Sequence, residues 1–143
     1  MSECASPMSI LQRYIVVDDD RMNNMVSKFI IQRHNKEAEI QLYTDPELAL
    51  SEICQLSSDA DDKRQTIVLL DINMPMMNGW EFLDEFKRLN IDPLGKCKIY
   101  IISSSVFSND INKARSYPLV KDFISKPLNV EKIVELFRVE DPA

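Results

Sequence analysis

Ile67-Val68-Leu69-Leu70-Asp71-Ile72-Asn73-Met74-Pro75-Met76-Met77-Asn78-Gly79 is the segment that decides the fold. Its first four residues are apolar without interruption, as in a strand buried on both faces of a parallel sheet. Asp71 closes that run, and Met74-Pro75 and Asn78-Gly79 mark a loop before the chain turns helical. The same pattern recurs on either side. Tyr14-Ile15-Val16-Val17 ends at Asp18 and Asp19, Ile99-Tyr100-Ile101-Ile102 ends at Ser103, and Phe123-Ile124 leads to Lys126-Pro127. Four strand ends thus deliver polar side chains to one edge, and in an open parallel α/β sheet ligands bind at the carboxyl edge.

Helix-period stretches separate these runs, the signature of an α/β domain with a parallel sheet. The spacing predicts a strand over 12–17 and a helix over 21–34. In that helix Met22, Met25, Val26, Phe29 and Ile30 form one apolar stripe, of the kind that faces a core. Residues 38–43 read as a second strand, nearer an edge. Thr44-Asp45-Pro46-Glu47 is a helix start, and Leu48, Ala49, Ile53 and Leu56 are expected to point inward from the helix. A polar loop over 57–65 follows. Phe82, Leu83, Phe86 and Leu89 mark a third helix, and 90–96 a connection. A short helix is expected over 109–116 and a last strand over 121–125. Asn129 can cap a final helix with Val130, Ile133, Val134 and Phe137 on its buried side. One domain over 12–138 is expected, with an N-terminal extension over 1–11 and a tail over 139–143.

Composition narrows the class. The 143 residues carry a net charge of −6, with 45% hydrophobic and 28% charged residues, ordinary values for a globular domain. That balance argues against a nucleic-acid binder, which needs a basic face. No apolar stretch is long enough to span a bilayer, and Met1–Ile10 lacks the basic and apolar regions of a signal peptide. Cys4, Cys54 and Cys97 are odd in number and lack a CxxC pairing, which fits reduced thiols and a cytoplasmic location.

Asp71 ends the most apolar strand, where a carboxylate is costly to place. The alternative is a cap for the following loop, and Asp18-Asp19-Asp20 has an equivalent alternative as a helix cap, a role that suits Asp20. Converging carboxylates need a cation, since each like-charge pair costs roughly 4 kcal/mol at about 4 Å and an effective dielectric near 20. An oxygen-rich set suits Mg²⁺, or Mn²⁺ as the alternative. Lys126 supplies a compact positive charge able to neutralise phosphoryl oxygens. Pro127 allows a fixed, even cis, turn that aims it inward. Ser103 offers a hydroxyl, with Ser104 and Ser105 as alternatives. His34, the lone histidine, reads as a helix C-terminal contact. Two glycines, Gly79 and Gly95, exclude a Rossmann fingerprint and a P-loop. Trp80 and Phe107 are either partner contacts or partly buried.

Val17-Asp18-Asp19, Leu70-Asp71 through Gly79, Ile101-Ile102-Ser103-Ser104 and Ser125-Lys126-Pro127, in this order, resemble the receiver domain of bacterial-type response regulators. The resemblance runs from about Tyr14 to Phe137 and implies a flavodoxin-like (βα)5 fold. Its doubly wound, five-stranded parallel sheet would have strand order 2-1-3-4-5. It also implies phosphorylation of Asp71 by a histidine kinase or histidine phosphotransfer protein. Mg²⁺ would be held by Asp19 and Asp71, by Asp18 through water, and by the backbone carbonyl of Asn73. Ser103 would bind a phosphoryl oxygen, Lys126 would pair with Asp71 and then with the phosphate, and Phe123 would be the switch aromatic. An unknown target would be met through the face of helix four, strand five and helix five, with neither nucleic acid nor membrane involved. Leu119-Val120 replaces the small pair common before strand five, and Phe123 lacks the hydroxyl of a tyrosine.

The resulting expectation is a stand-alone signalling receiver. It would not be an enzyme in the turnover sense, but a phosphoacceptor that promotes its own phosphorylation and dephosphorylation. With no output domain in the sequence, direct transcription control is not expected. One alternative is a phosphorelay intermediate passing phosphate onward. Another is an aspartate-nucleophile phosphatase of the haloacid-dehalogenase type, for which Asn73 stands where a proton-donating acid is needed and Asp71 lies on the wrong strand. A phosphorylation-independent docking domain is the third.

Overall fold

The computed structural model describes residues 12–62, 64–104, 108–126 and 128–140. Five strands, β1 (Gln12–Val17), β2 (Glu39–Tyr43), β3 (Gln65–Asp71), β4 (Cys97–Ser103) and β5 (Val120–Ser125), alternate with five helices. The helices are α1 (Arg21–His34), α2 (Pro46–Ser58), α3 (Gly79–Arg88), α4 (Ser108–Arg115) and α5 (Val130–Glu140). The strands are all parallel, in the order β2-β1-β3-β4-β5. This is the expected doubly wound architecture, with β2 at an edge.

Alternate side chains of the central strands feed two cores. Ile15, Val17, Val68, Leu70, Ile99 and Ile101 pack with Ala49, Leu50 and Ile53 of α2, Phe82, Leu83 and Phe86 of α3, and Ala114 of α4. On the other face Tyr14, Val16, Ile67, Leu69, Tyr100, Ile102 and Ile124 pack with Ile31 of α1, Leu128, and Ile133 of α5. Helix starts follow local chemistry. Asp20 and Asp45 accept the amides of Met22 and Glu47, and Asn78 and Glu81 form a reciprocal capping box on α3. Asn129 accepts the Lys132 amide, as expected of a cap.

Several expectations about which way side chains face are corrected. The stripe of α1 points outward: Met22, Met25, Val26 and Phe29 are exposed, and Asn24, Ser27 and Ile31 face the sheet. On that inward side Asn24 bonds to the backbone carbonyls of Asp18 and Tyr43. Leu48 is exposed and Leu50 takes the inward place. Leu89 lies beyond α3 and is exposed, as is Val130. Phe107 and the side chain of Phe137 lie outside the described residues. Trp80 is partly buried, stacked on Tyr117 at 5.6 Å with Lys113 over its ring.

The expected 57–65 loop is shorter and firmly held. Helix α2 continues to Ser58, and Lys96 Nζ donates to the carbonyls of Leu56, Asp59 and Asp62 at 3.2, 2.7 and 2.8 Å. Arg13, fully buried at the start of β1, donates to Asp62 and to Thr66 Oγ1. Arg64 bridges Asp62 and Glu39, and the Arg64 guanidinium beside Asp62 holds that carboxyl far below the usual carboxylate range. This network closes the amino edge of the sheet. Nearby, burial pushes the Cys97 thiol up to about 12, the environment of an inert packing cysteine. Cys54 is also a free thiol, and Cys4 lies outside the described residues.

Candidate functional site

At the carboxyl edge, β1 and β3 end side by side, with Val17 beside Leu70 in the register. Asp18 and Asp71 follow directly, and both are buried; Asp19 is exposed. One carboxylate oxygen from each of the three lies within 4.8 Å of the others. Asp20 turns away to cap α1, so the acidic run divides into site residues and a cap.

Hydrogen bonds fix this geometry. Asp18 accepts the Asp20 amide through Oδ1 at 2.9 Å and Lys126 Nζ through Oδ2 at 2.8 Å. Its backbone amide donates to the Tyr43 carbonyl. Asn24 Nδ2 donates to the carbonyls of both Asp18 and Tyr43, at 3.0 and 3.3 Å, and so ties the acidic loop to the end of β2. Sequence reading missed Asn24, because the apolar stripe placed the opposite side of α1 inward. Asp71 accepts the Asn73 amide through Oδ1 at 3.2 Å. Gly79 N donates to the Ile72 carbonyl, closing the β3–α3 loop, and a Cβ at Gly79 would come within 2.7 Å of Ile72.

Lys126 reaches the cluster from the end of β5, its amide bonded to the Ser103 carbonyl at 2.8 Å. Its ammonium is 3.8 Å from Asp71 Oδ2. The expected Lys126–Asp71 pairing is therefore secondary to a hydrogen bond with Asp18. Ser103 is fully buried at the end of β4, one residue beyond Ile102, the register partner of Asp71; Ser104 is exposed. Ser105 and Pro127 lie outside the described residues. Phe123 is partly buried, packed against the core beneath α2, α3 and α4.

Burial pushes Asp71 up to about 6, the Asp18 carboxylate adds to the rise, and the Asn73 amide and Lys126 oppose it. Uncompensated negative charge is thus concentrated where three hard oxygen donors meet. That donor set fits a hard divalent cation such as Mg²⁺.

The model of the response regulator receiver domain matches residues 14–138. The chain belongs to the response regulator receiver family. The receiver is 28% identical over 127 residues to the regulatory protein VanRB of Enterococcus faecalis, covering 88% of this chain and 49% of that protein. It thus spans about half the length of that relative. Response regulator Rcp1 of Synechocystis is 23% identical, with 95% of this chain and 88% of that protein covered. A two-component response regulator from Cytophaga hutchinsonii superposes with a TM-score of 0.80 at 31% identity, covering 90% of this chain and 96% of that one. Receiver domains serve two-component signalling, interact with kinases or phosphotransfer proteins, and generally bind Mg²⁺ at an acidic pocket. Among the described residues no helix is long and apolar enough to cross a membrane.

Proposed function

We propose that this receiver accepts a phosphoryl group on Asp71 from the phosphohistidine of a histidine kinase or phosphotransfer protein and thereby switches the binding of a downstream protein. The observation that carries the reading is the meeting of a buried Asp71 with Asp18, Asp19 and the Lys126 ammonium at the end of three strands. An Asp71 oxygen attacks phosphorus in line, the bond from phosphorus to the donor imidazole breaks, and the imidazole leaves with that electron pair. Positioning and charge neutralisation, more than covalent help, lower the barrier of such a transfer. Lys126 is near enough to follow the charge from Asp71 to a phosphoryl oxygen, and Ser103 supplies the hydroxyl. Asp18, Asp19 and Asp71, with the Asn73 carbonyl, would hold Mg²⁺ or Mn²⁺. When bound, that ion supplies further neutralisation of phosphoryl charge.

Asp71 is a stoichiometric acceptor in this reading, not the nucleophile of a turnover enzyme. Ser103 and Phe123 form the switch, because Ser103 drawn toward phosphate frees space for the aromatic ring. The output surface is proposed on α4, β5 and α5; a cavity of about 240 Å³ lined by Phe123, Ile124 and Ser125 of β5 and Lys132 and Glu135 of α5 supports its β5 and α5 part.

Intact-mass measurement after incubation with acetyl phosphate and Mg²⁺ tests the proposal. One phosphate is expected on wild type and none at this site in Asp71→Asn. Equal labelling of both would remove Asp71 from the mechanism.

A further inference from the structure

Of the three clustered acids, Asp18 and Asp71 have hydrogen bonds at their carboxylates, whereas Asp19, among the described residues, has neither a hydrogen bond nor an ion pair there. The position of Asp19 is therefore set by its chain neighbours, Asp18 and Asp20, and both are bonded to Asn24. Asn24 Nδ2 donates to the Asp18 carbonyl at 3.0 Å, and the Asn24 backbone amide donates to the Asp20 carbonyl at 3.1 Å. The Asp20 amide closes the ring onto Asp18 Oδ1 at 2.9 Å. Nδ2 also donates to the Tyr43 carbonyl, which accepts the Asp18 amide as well. One amide side chain thus pins the acid-bearing turn to the end of β2.

Both partners of Nδ2 are carbonyl oxygens, so the amide can face only one way. Oδ1 is then buried without a partner among the described residues, on a side chain only 2% exposed. A buried acceptor that lacks a donor is destabilising. A side chain that breaks the packing rule at the rim of a ligand pocket marks a functional position.

We infer that Asn24 is a positioning residue for the divalent-cation site: its side-chain amide sets the turn that presents Asp19, and so sets the affinity for Mg²⁺. The inference rests on the reading of Asp18, Asp19 and Asp71 as metal ligands. Asn24 acts through the backbone of the ligands, as groups behind a metal site orient the donors in front of them. Asp71 and Lys126 are held by bonds that do not involve Asn24. Transfer at a filled site is therefore independent of it, and filling the site is not.

Mg²⁺ is titrated by calorimetry into wild type, Asn24→Ala and the bulkier Asn24→Leu, with folding checked by circular dichroism. Ile31→Ala, a fully buried position on the same side of α1 about two turns further on, controls for loosening of the helix. Both Asn24 variants should bind Mg²⁺ about 10- to 100-fold more weakly, and Ile31→Ala should stay within about threefold of wild type. Labelling by acetyl phosphate should then need correspondingly more Mg²⁺ for half-maximal rate in the Asn24 variants. At saturating Mg²⁺ their rate should come within about threefold of wild type. In wild type the side-chain amide resonances of Asn24 should shift with the midpoint of the calorimetric curve, a readout that needs no variant to fold. Unchanged Mg²⁺ affinity in the Asn24 variants, equal weakening in Ile31→Ala, or resonances that do not move overturn the inference. So does a saturated rate that falls as far as the affinity, or a wild type that binds no Mg²⁺. Wild type that binds Mg²⁺ yet takes no label from acetyl phosphate removes the phosphoacceptor reading and leaves the role of Asn24 to stand on the titrations.

Discussion

Lys126 gives its close hydrogen bond to Asp18, at 2.8 Å, and stands 3.8 Å from Asp71. Its ammonium therefore occupies a carboxylate that a divalent cation also needs. Lys126→Met should bind Mg²⁺ more tightly, by about three- to tenfold once solvent screening is allowed for. It should nonetheless accept phosphate from acetyl phosphate about 100-fold more slowly, the usual scale for losing a charge-stabilising donor. Calorimetric titration and a labelling time course measure the two effects. Weaker Mg²⁺ binding in the variant would count against competition for Asp18.

Asp71 links stability to pH. Its folded pKa of about 6 lies above the ordinary 3.8, so without a divalent ion the folded chain holds a proton there more firmly than the unfolded chain. That contribution is complete below about pH 4 and is lost as pH rises through about 6. Asp71→Asn should therefore exceed wild type in stability at pH 8 without Mg²⁺, by about 1–3 kcal/mol. The gap should shrink steadily below pH 6, and Mg²⁺ should stabilise wild type more than the variant. Urea denaturation across this range is the measurement; a gap that widens toward acid would refute the assignment.

Gly79 is held against Ile72, where a Cβ would lie 2.7 Å from Cγ2 and 2.8 Å from the backbone Cα. Gly79→Ala forces apart the two ends of the loop that leads from Asp71 into α3. A loss of about 1–3 kcal/mol is expected from such overpacking, together with slower phosphoryl acceptance. Thermal denaturation and the acetyl phosphate assay together check this, and unchanged behaviour in both would show that the loop yields freely.

Lys96 joins three carbonyls at the end of α2 and in the following loop. Lys96→Met should cost about 1–2 kcal/mol, because these charge-assisted bonds are partly open to water. Phosphorylation of Asp71 should proceed at the wild-type rate, since Lys96 precedes β4 at the far edge of the sheet. Denaturant midpoints and intact mass separate the two effects.

The order of strands and helices was legible because each apolar run ends in a polar residue and each is followed by helical spacing. Asp18, Asp19, Asp71, Ser103 and Lys126 were legible for the same reason: they stand at, or one residue beyond, the positions where those runs stop. The orientation of α1 was not. Periodicity finds a stripe but cannot say which stripe faces the sheet, and here the backbone carbonyls of Asp18 and Tyr43 draw Asn24 inward. Arg13 was equally hidden, because its partners Asp62 and Thr66 are about fifty positions away in the chain. The choice of Asp18 as the lysine's nearest partner depends on side-chain distances that no motif records.

The network of Arg13, Asp62, Arg64 and Lys96 gives the molecule two unequal ends. One rim is riveted by cations to carboxylates and carbonyls, while the other ends in loops gathered around mutually repelling acids. Under the proposed switch, a change of charge at the reactive rim would act on α4 and β5 against an opposite rim held by these bonds.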